Sequence, residues 1–274
     1  MTTPSLFLSH GAPTLPLTDT PARDFLSGLG GSLPRPKAIL VVSAHWETGR
    51  PAVNAVAWNE TIHDFYGFPR ALYDLRYPAP GSPQLAEDIA SRLRGAGFDC
   101  DVDRTRGLDH GAWVPLSLMY PAADVPILQL SVQPQLGPQH HLELGRALAS
   151  LRDDGVLIVG SGSFTHDLSE FRGHGPNDPA PEWVNAFAEW FDRALAGNRV
   201  ADLIAYRDRA PYARKNHPTE EHLLPLYVAL GAAGADAKTT RLHASATYGV
   251  LRMDVYVFGD AHRFDGDKQI REAT

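Results

Sequence analysis

Apolar residues along the chain fall into short solid runs, separated by stretches in which they recur every three or four positions. Runs of strand length occupy 5–8, 38–43, 52–57, 126–132, 155–160 and 251–258. Solid runs of this length, rich in Val, Ile and Leu, predict strands buried on both faces. The last run, "LRMDVYVF", partly alternates and predicts an edge or antiparallel strand. The intervening stretches predict helices with recognisable ends. "DTPARDFLSGLG" starts with cap candidates and a proline and stops at glycine. "GSPQLAEDIASRLRGAG" repeats that logic, with Ser82 as cap, Pro83 next, and Gly95 or Gly97 as the stop. "LGPQHHLELGRALASLRDDG" and "PAPEWVNAFAEWFDRALAGN" are two more, and "HPTEEHLLPLYVALGAAG" predicts a helix that begins at Thr219. Strands alternating with helices predict an α/β layered fold.

A chain of 274 residues is long enough for one large domain or two small ones. It contains no internal repeat, charge block or Pro/Ser-rich linker, so a single domain over 1–274 is expected. "FRGHGPNDPAPE" then forms one long connection inside that domain, and the polar tail after Phe264 is expected to fray.

Three of the apolar runs are followed by a histidine: His10 in "LFLSHGAPT", His45 in "AILVVSAHWE" and His166 in "VLIVGSGSFTHDL". Open α/β sheets collect functional groups at the carboxyl ends of their strands. If the three strands are parallel neighbours, the three imidazoles share one rim, however far apart they lie in sequence.

Composition narrows the choice of partner. The net charge is −7 and no cluster of Lys or Arg marks a nucleic-acid face. The single cysteine, Cys100, rules out an internal disulfide and fits a reducing compartment; flanked by Asp99 and Asp101, it reads as structural. The N-terminus lacks a basic segment followed by a long apolar stretch, and runs such as "AILVV" are too short to span a bilayer. A cytoplasmic protein without membrane or nucleic-acid partners is expected.

Among the twelve histidines, His140, His141, His174, His243 and His262 have no context that sets them apart. His10 and His45 do, because a buried rim is a poor place for an unpaired imidazole, and neutral imidazole is a good ligand for iron, zinc or copper. In "NHPTEEHLLPL", His217 lies before the expected helix and His222 in its first turn, five residues on. That is not the H-E-x-x-H zinc motif, but it offers a third ligand, with Glu220 and Glu221 as possible carboxylates or simply first-turn acids. His166, after a glycine-rich turn, and His110, in the glycine-flanked "LDHGAWVPL", are candidates for moving protons near neutral pH. The glycines before His166 match neither phosphate-binding pattern; they would let backbone pass close to a site. "TIHDFYGFP" gathers Phe65, Tyr66 and Phe68 into a wall suited to an aromatic ligand, with His63 as its polar group. A serine hydrolase is a poor match, because "GSGSF" places Phe164 where the nucleophile elbow has glycine.

Taken together, "LFLSHGAPT", "VVSAHWE", "TIHDFYGFP", "LDHGAWVPL", "GSGSFTHDL", "HPTEEHLLPL" and "GVLRMDVYVFG" resemble the class III extradiol ring-cleavage dioxygenases of the LigB superfamily, in the 4,5-DOPA dioxygenase-like branch. The seven segments occur in order and span the chain to about residue 259. The resemblance implies one α/β domain with a central mixed sheet flanked by helices. It implies a mononuclear non-haem Fe(II) that opens a catechol ring beside its hydroxyls with O2, and a site in which zinc can replace iron in purified protein. By motif, His10, His45 and His222 would be the ligands. His166 would be the acid/base, close enough to the metal to coordinate it, and His110 would contact substrate or oxygen. His63 and His217, with Phe65 and Tyr66, would border the substrate. The protocatechuate branch completes its triad with glutamate. Here His222 takes that place, and ligation by Glu221 would make the set the carboxylate type. Two competing readings use the same residues: a zinc hydrolase with metal-bound water as nucleophile, and a non-catalytic binding protein of the Memo type. Oligomeric state is left open.

Overall fold

The computed structural model describes residues 2–259, so the expected fraying after Phe264 and the position of His262 lie outside the described residues. Ten strands are present: β1 (Ser5–Ser9), β2 (Ala38–Glu47), β3 (Ala52–Asn54), β4 (Asp101–Asp103), β5 (Ile127–Val132), β6 (Val156–Gly162), β7 (Thr239–His243), β8 (Ala246–Thr247), β9 (Leu251–Arg252) and β10 (Val255–Phe258). Six longer helices are α1 (Pro21–Ser32), α3 (Pro83–Gly95), α4 (His110–Met119), α5 (Gly137–Leu148), α6 (Glu182–Ala196) and α10 (Leu224–Ala233). Single turns make up α2 (Arg70–Tyr73), α7 (Val200–Ile204), α8 (Tyr206–Arg209) and α9 (Ala213–Asn216).

Eight strands form one sheet in the order β4-β3-β5-β2-β6-β1-β10-β7. β5, β2, β6 and β1 run parallel, whereas β3 and β10 are antiparallel to β5 and β1. Helices cover both faces, so the chain is an α/β fold with a mixed central sheet. Successive residues of β2 serve opposite layers: Leu40 and Val42 pack with α3, α5, α6 and α10, while Ile39 and Val41 pack with α1 and α4. Burying each such side chain stabilises the fold by about 1.5–3 kcal/mol. This two-sided burial explains why the central strands read as solid apolar runs.

The structure corrects several expected boundaries. The run at 52–57 forms only the short β3, and 251–258 splits at Met253–Asp254 into β9 and the antiparallel, interior β10. α1 continues through three glycines to Ser32, and at Gly30 glycine is required by close packing, since a Cβ there would lie 1.9 Å from the Met119 carbonyl of α4. The helix expected from Thr219 begins at Leu224, with Pro225 in its first turn where no intrahelical N–H is needed. His222 therefore lies in the turn before α10, not in the helix. His110 is the first residue of α4 rather than part of a preceding turn.

Candidate metal centre

β2, β6 and β1 are adjacent and parallel, so their carboxyl ends meet on one rim. His10 follows β1 directly, and its N–H donates to the Gly162 carbonyl at the end of β6 (2.9 Å). β2 runs beyond the expected end to Glu47, but its regular pairing with β6 ends at Ser43 and with β5 at Val42. His45 occupies this loosened stretch, with its N–H on Ser43 Oγ (3.2 Å). The His222 segment crosses the tip of β6, where its carbonyl accepts from the Ser163 N–H (2.9 Å). A Cβ at Gly162 would sit 2.0 Å from that carbonyl. The glycine run before His166 thus admits the backbone that carries another histidine.

The ligating atoms of His10, His45 and His222 all lie within 4.8 Å of one another. Nε2 of His45 is 3.0 Å from Nε2 of His10 and 3.3 Å from Nε2 of His222. The neighbours of these rings decide where the protons are. Ser161 Oγ donates its one hydrogen to the Gly111 carbonyl, so it accepts from Nδ1–H of His10 (3.1 Å). Glu221 Oε1 accepts from Nδ1–H of His222 (2.8 Å). Nδ1 of His45 faces Asp64 Oδ2 at 3.8 Å. The Ser161 and Glu221 bonds favour the Nδ1–H tautomer of His10 and His222 and leave a lone pair on each Nε2, whereas the Asp64 carboxylate lies near His45 Nδ1 without a hydrogen bond to it. Burial first, then the neighbouring imidazoles, holds all three groups well below the ordinary histidine range, so they remain neutral.

Lone pairs directed at one point repel unless a cation joins them. Two imidazole nitrogens about 2.0–2.1 Å from one ion, at tetrahedral to octahedral angles, are separated by roughly 2.8–3.4 Å. The separations of 3.0 and 3.3 Å fit a mononuclear divalent metal. Two other clusters among the described residues are as close, His45–Asp64–His110 and His166–Glu221–His222. In both, the carboxylate already bonds a histidine Nδ1 (Asp64 to His110 at 2.9 Å, Glu221 to His222 at 2.8 Å), so a proton occupies the place a metal would need. Glu221 accepts from His222 in this arrangement, whereas the carboxylate-type alternative would make it a ligand.

Two more imidazoles flank the triad. His166 stacks on His222 with centroids 3.5 Å apart and planes 13° apart, and burial lowers it to about 4. His110 lies 3.8 Å from His45 between ring centroids, with its backbone N–H and Nδ1 both on Asp64. The edge of Phe65 meets His110 at 5.7 Å. His63 packs against Phe65 and Trp113 with Nε2 at the Leu75 carbonyl (3.1 Å). Two other expected residues are not brought to this face. Tyr66 is 92% exposed. His217 is enclosed, its Nε2 on the Phe164 carbonyl (3.0 Å) and its ring against Phe187 and Tyr206. A cavity of about 470 Å³, lined by Glu47, Arg207, Thr219, Glu220 and Glu221, opens beside the carboxylate that holds His222. No residue of the aromatic loop at 61–69 is among its lining. Asp64 and Ser161 are the site residues that the sequence does not reveal. Asp64 is 46 residues from His110, and Ser161 is 151 from His10, separations that no spacing rule links.

Residues 5–259 match the family model of the catalytic LigB subunit of aromatic ring-opening dioxygenase. The 4,5-DOPA dioxygenase extradiol of Beta vulgaris is 47% identical over 259 residues, covering 93% of this chain and 96% of that protein. The 4,5-DOPA dioxygenase extradiol of Escherichia coli K12 is 44% identical over 232 residues, with 84% of each chain covered. The crystal structure of the uncharacterized protein JW3007 from Escherichia coli K12 superposes with a TM-score of 0.78 at 36% identity, covering 94% of this chain and 100% of that one. The two sequence relatives are named dioxygenases, and LigB dioxygenases use a metal. The chain belongs to the LigB family of aromatic ring-opening dioxygenases.

Proposed function

We propose that this protein is an extradiol dioxygenase that opens the ring of a catechol, DOPA-like or another dihydroxyphenyl compound, with O2. The observation that carries the reading is the convergence of the Nε2 atoms of His10, His45 and His222, each with its Nδ1 turned to an oxygen of the protein. The working metal is Fe(II), and zinc can occupy the same nitrogens in isolated protein. When bound, Fe(II) supplies a Lewis-acidic, redox-active centre at which catechol and O2 meet. The protein's own groups do the rest. Three neutral ligands leave the full charge of the ion to favour an anionic catecholate. His166, kept neutral by burial, receives a proton from the incoming hydroxyl and returns it later. His110 contacts substrate or oxygen. Phe65 and His63 border the ring, and convergence on the rim meets the cost of orientation in advance.

The catalytic domain is the whole chain, and its compartment is the cytoplasm, where the buried Cys100 stays reduced. No helix among the described residues is long and apolar enough to cross a membrane. Anaerobic Fe(II) loading, followed by oxygen consumption and spectral scans across a catechol panel, tests the assignment. Oxygen uptake matched by a yellow semialdehyde-type product is expected. Flat traces for every catechol with iron verified in the protein would overturn it, and hydrolysis with zinc alone would establish the hydrolase instead.

A further inference from the structure

We propose that Asp64 is a positioning residue that fixes the tautomer and ring plane of His110 beside the metal triad. The proposal rests on the ring-cleavage reading for its kinetic consequence, but not for its structural content. Asp64 Oδ1 accepts from the backbone N–H of His110 at 2.9 Å, and Oδ2 accepts from the ring Nδ1 at 2.9 Å. One carboxylate thus clamps both ends of a single residue. The backbone bond matters because His110 opens α4, where N–H groups lack intrahelical partners. The N-cap residue Asp109 makes no capping bond; its carboxylate is taken by Ser43, Arg106 and Gln129. Asp64, arriving from a loop 46 residues away, does that work instead.

The ring bond sets the chemistry. Both oxygens of the Asp64 carboxylate are taken up by His110, at 2.9 Å each, and a carboxylate has no hydrogen to donate. Nδ1 of His110 therefore carries the hydrogen in this pair, and the neutral ring presents its lone pair at Nε2. Oδ2 also stands 3.8 Å from Nδ1 of His45, a metal-ligand candidate. A single anion thereby faces the Nδ1 side of two imidazoles whose centroids are 3.8 Å apart. Asp64 ties the orientation of His110 to that of the metal site.

The test compares Asp64→Asn with Asp64→Glu. Asparagine keeps the size and an oxygen for the backbone N–H, but turns an NH2 group toward Nδ1, which then must accept. In metal-free, 15N-histidine-labelled protein, the wild type should show His110 as the Nδ1–H tautomer and Asp64→Asn should convert it to Nε2–H. In the Fe(II)-loaded enzyme, Asp64→Asn should lower kcat about 10²–10⁴-fold with KM and iron content little changed, by analogy with wrong-tautomer variants of other His–Asp pairs. Asp64→Glu, which restores an acceptor, should recover much of kcat. A wild-type His110 found as Nε2–H overturns the proposal, whatever the fate of the variants. Loss of iron in Asp64→Asn also overturns it, because Asp64 would then act on the metal, directly or through His45, rather than on His110. An inactive wild type would refute the assigned reaction while leaving the tautomer result to decide this inference.

Discussion

Nε2 of His10 and Nε2 of His45 face each other across 3.0 Å, although the residues are 35 positions apart. Ser161 takes the Nδ1 hydrogen of His10, so Nε2 of His10 directs a lone pair at the space it shares with His45. A cation placed between the two nitrogens would join them. Metal should therefore stabilise the folded chain, by roughly 4 kcal/mol when free metal exceeds its Kd a thousandfold. A chelator is expected to lower the Tm of the wild type by several degrees. His10→Ala should bind almost no metal, and its Tm should not respond to the chelator. A variant that retains one ion per chain would remove His10 from the ligand set.

With His10 as a ligand, Ser161 should act on the metal through the Nδ1 of that ring. In Ser161→Ala, Nδ1 of His10 loses its acceptor and the ring can adopt either tautomer. Loss of such a supporting contact weakens metal binding by about 10–100-fold. Competition with a chromophoric chelator measures this directly, and wild-type affinity in Ser161→Ala would show that the tautomer is set elsewhere.

His166 should behave differently. It stacks on His222 without taking part in the triad's Nε2 cluster, so His166→Phe is expected to keep its metal and lose rate. Removing a proton-transfer group typically costs 10²–10⁴-fold. Single-turnover kinetics on metal-replete protein reads the loss. A metal-free His166→Phe would instead make this ring a ligand.

Away from the site, His141 is fully buried with Nδ1 donating to the Gly137 carbonyl (2.7 Å) and Nε2 accepting from the Gln133 N–H (3.1 Å). The Nε2 bond requires the neutral ring, and burial lowers the group to about 4. Below pH ~6.5 the unfolded chain takes up a proton that the folded chain refuses, so stability falls as pH drops toward 4, by up to ~3 kcal/mol for this one residue. Denaturant titrations of metal-free protein between pH 7 and 4.5 should give a shallower decline for His141→Gln than for the wild type. Parallel declines would assign the acid sensitivity to other groups.

Much of this arrangement is legible in the sequence for a geometric reason. Parallel strands bring their carboxyl ends together, so a histidine after each of three apolar runs marks one rim, and β2, β6 and β1 are indeed neighbours. The limits are physical too. β4 ("DVD") and β7 ("TTRLH") are edge strands whose charged and polar residues leave no apolar run to detect. His222 lies before α10 because Pro225 is accommodated in the helix's first turn, which moves the start five residues beyond Thr219. Asp64 and Ser161 act across long separations through single hydrogen bonds, and these leave no periodic trace.

X-ray absorption of the anaerobically Fe(II)-loaded protein tests the central claim most directly. One iron per chain with three imidazole nitrogens near 2.1 Å is the result the three converging Nε2 atoms require. A first shell with fewer than two imidazoles, or one dominated by carboxylate oxygens, would contradict it.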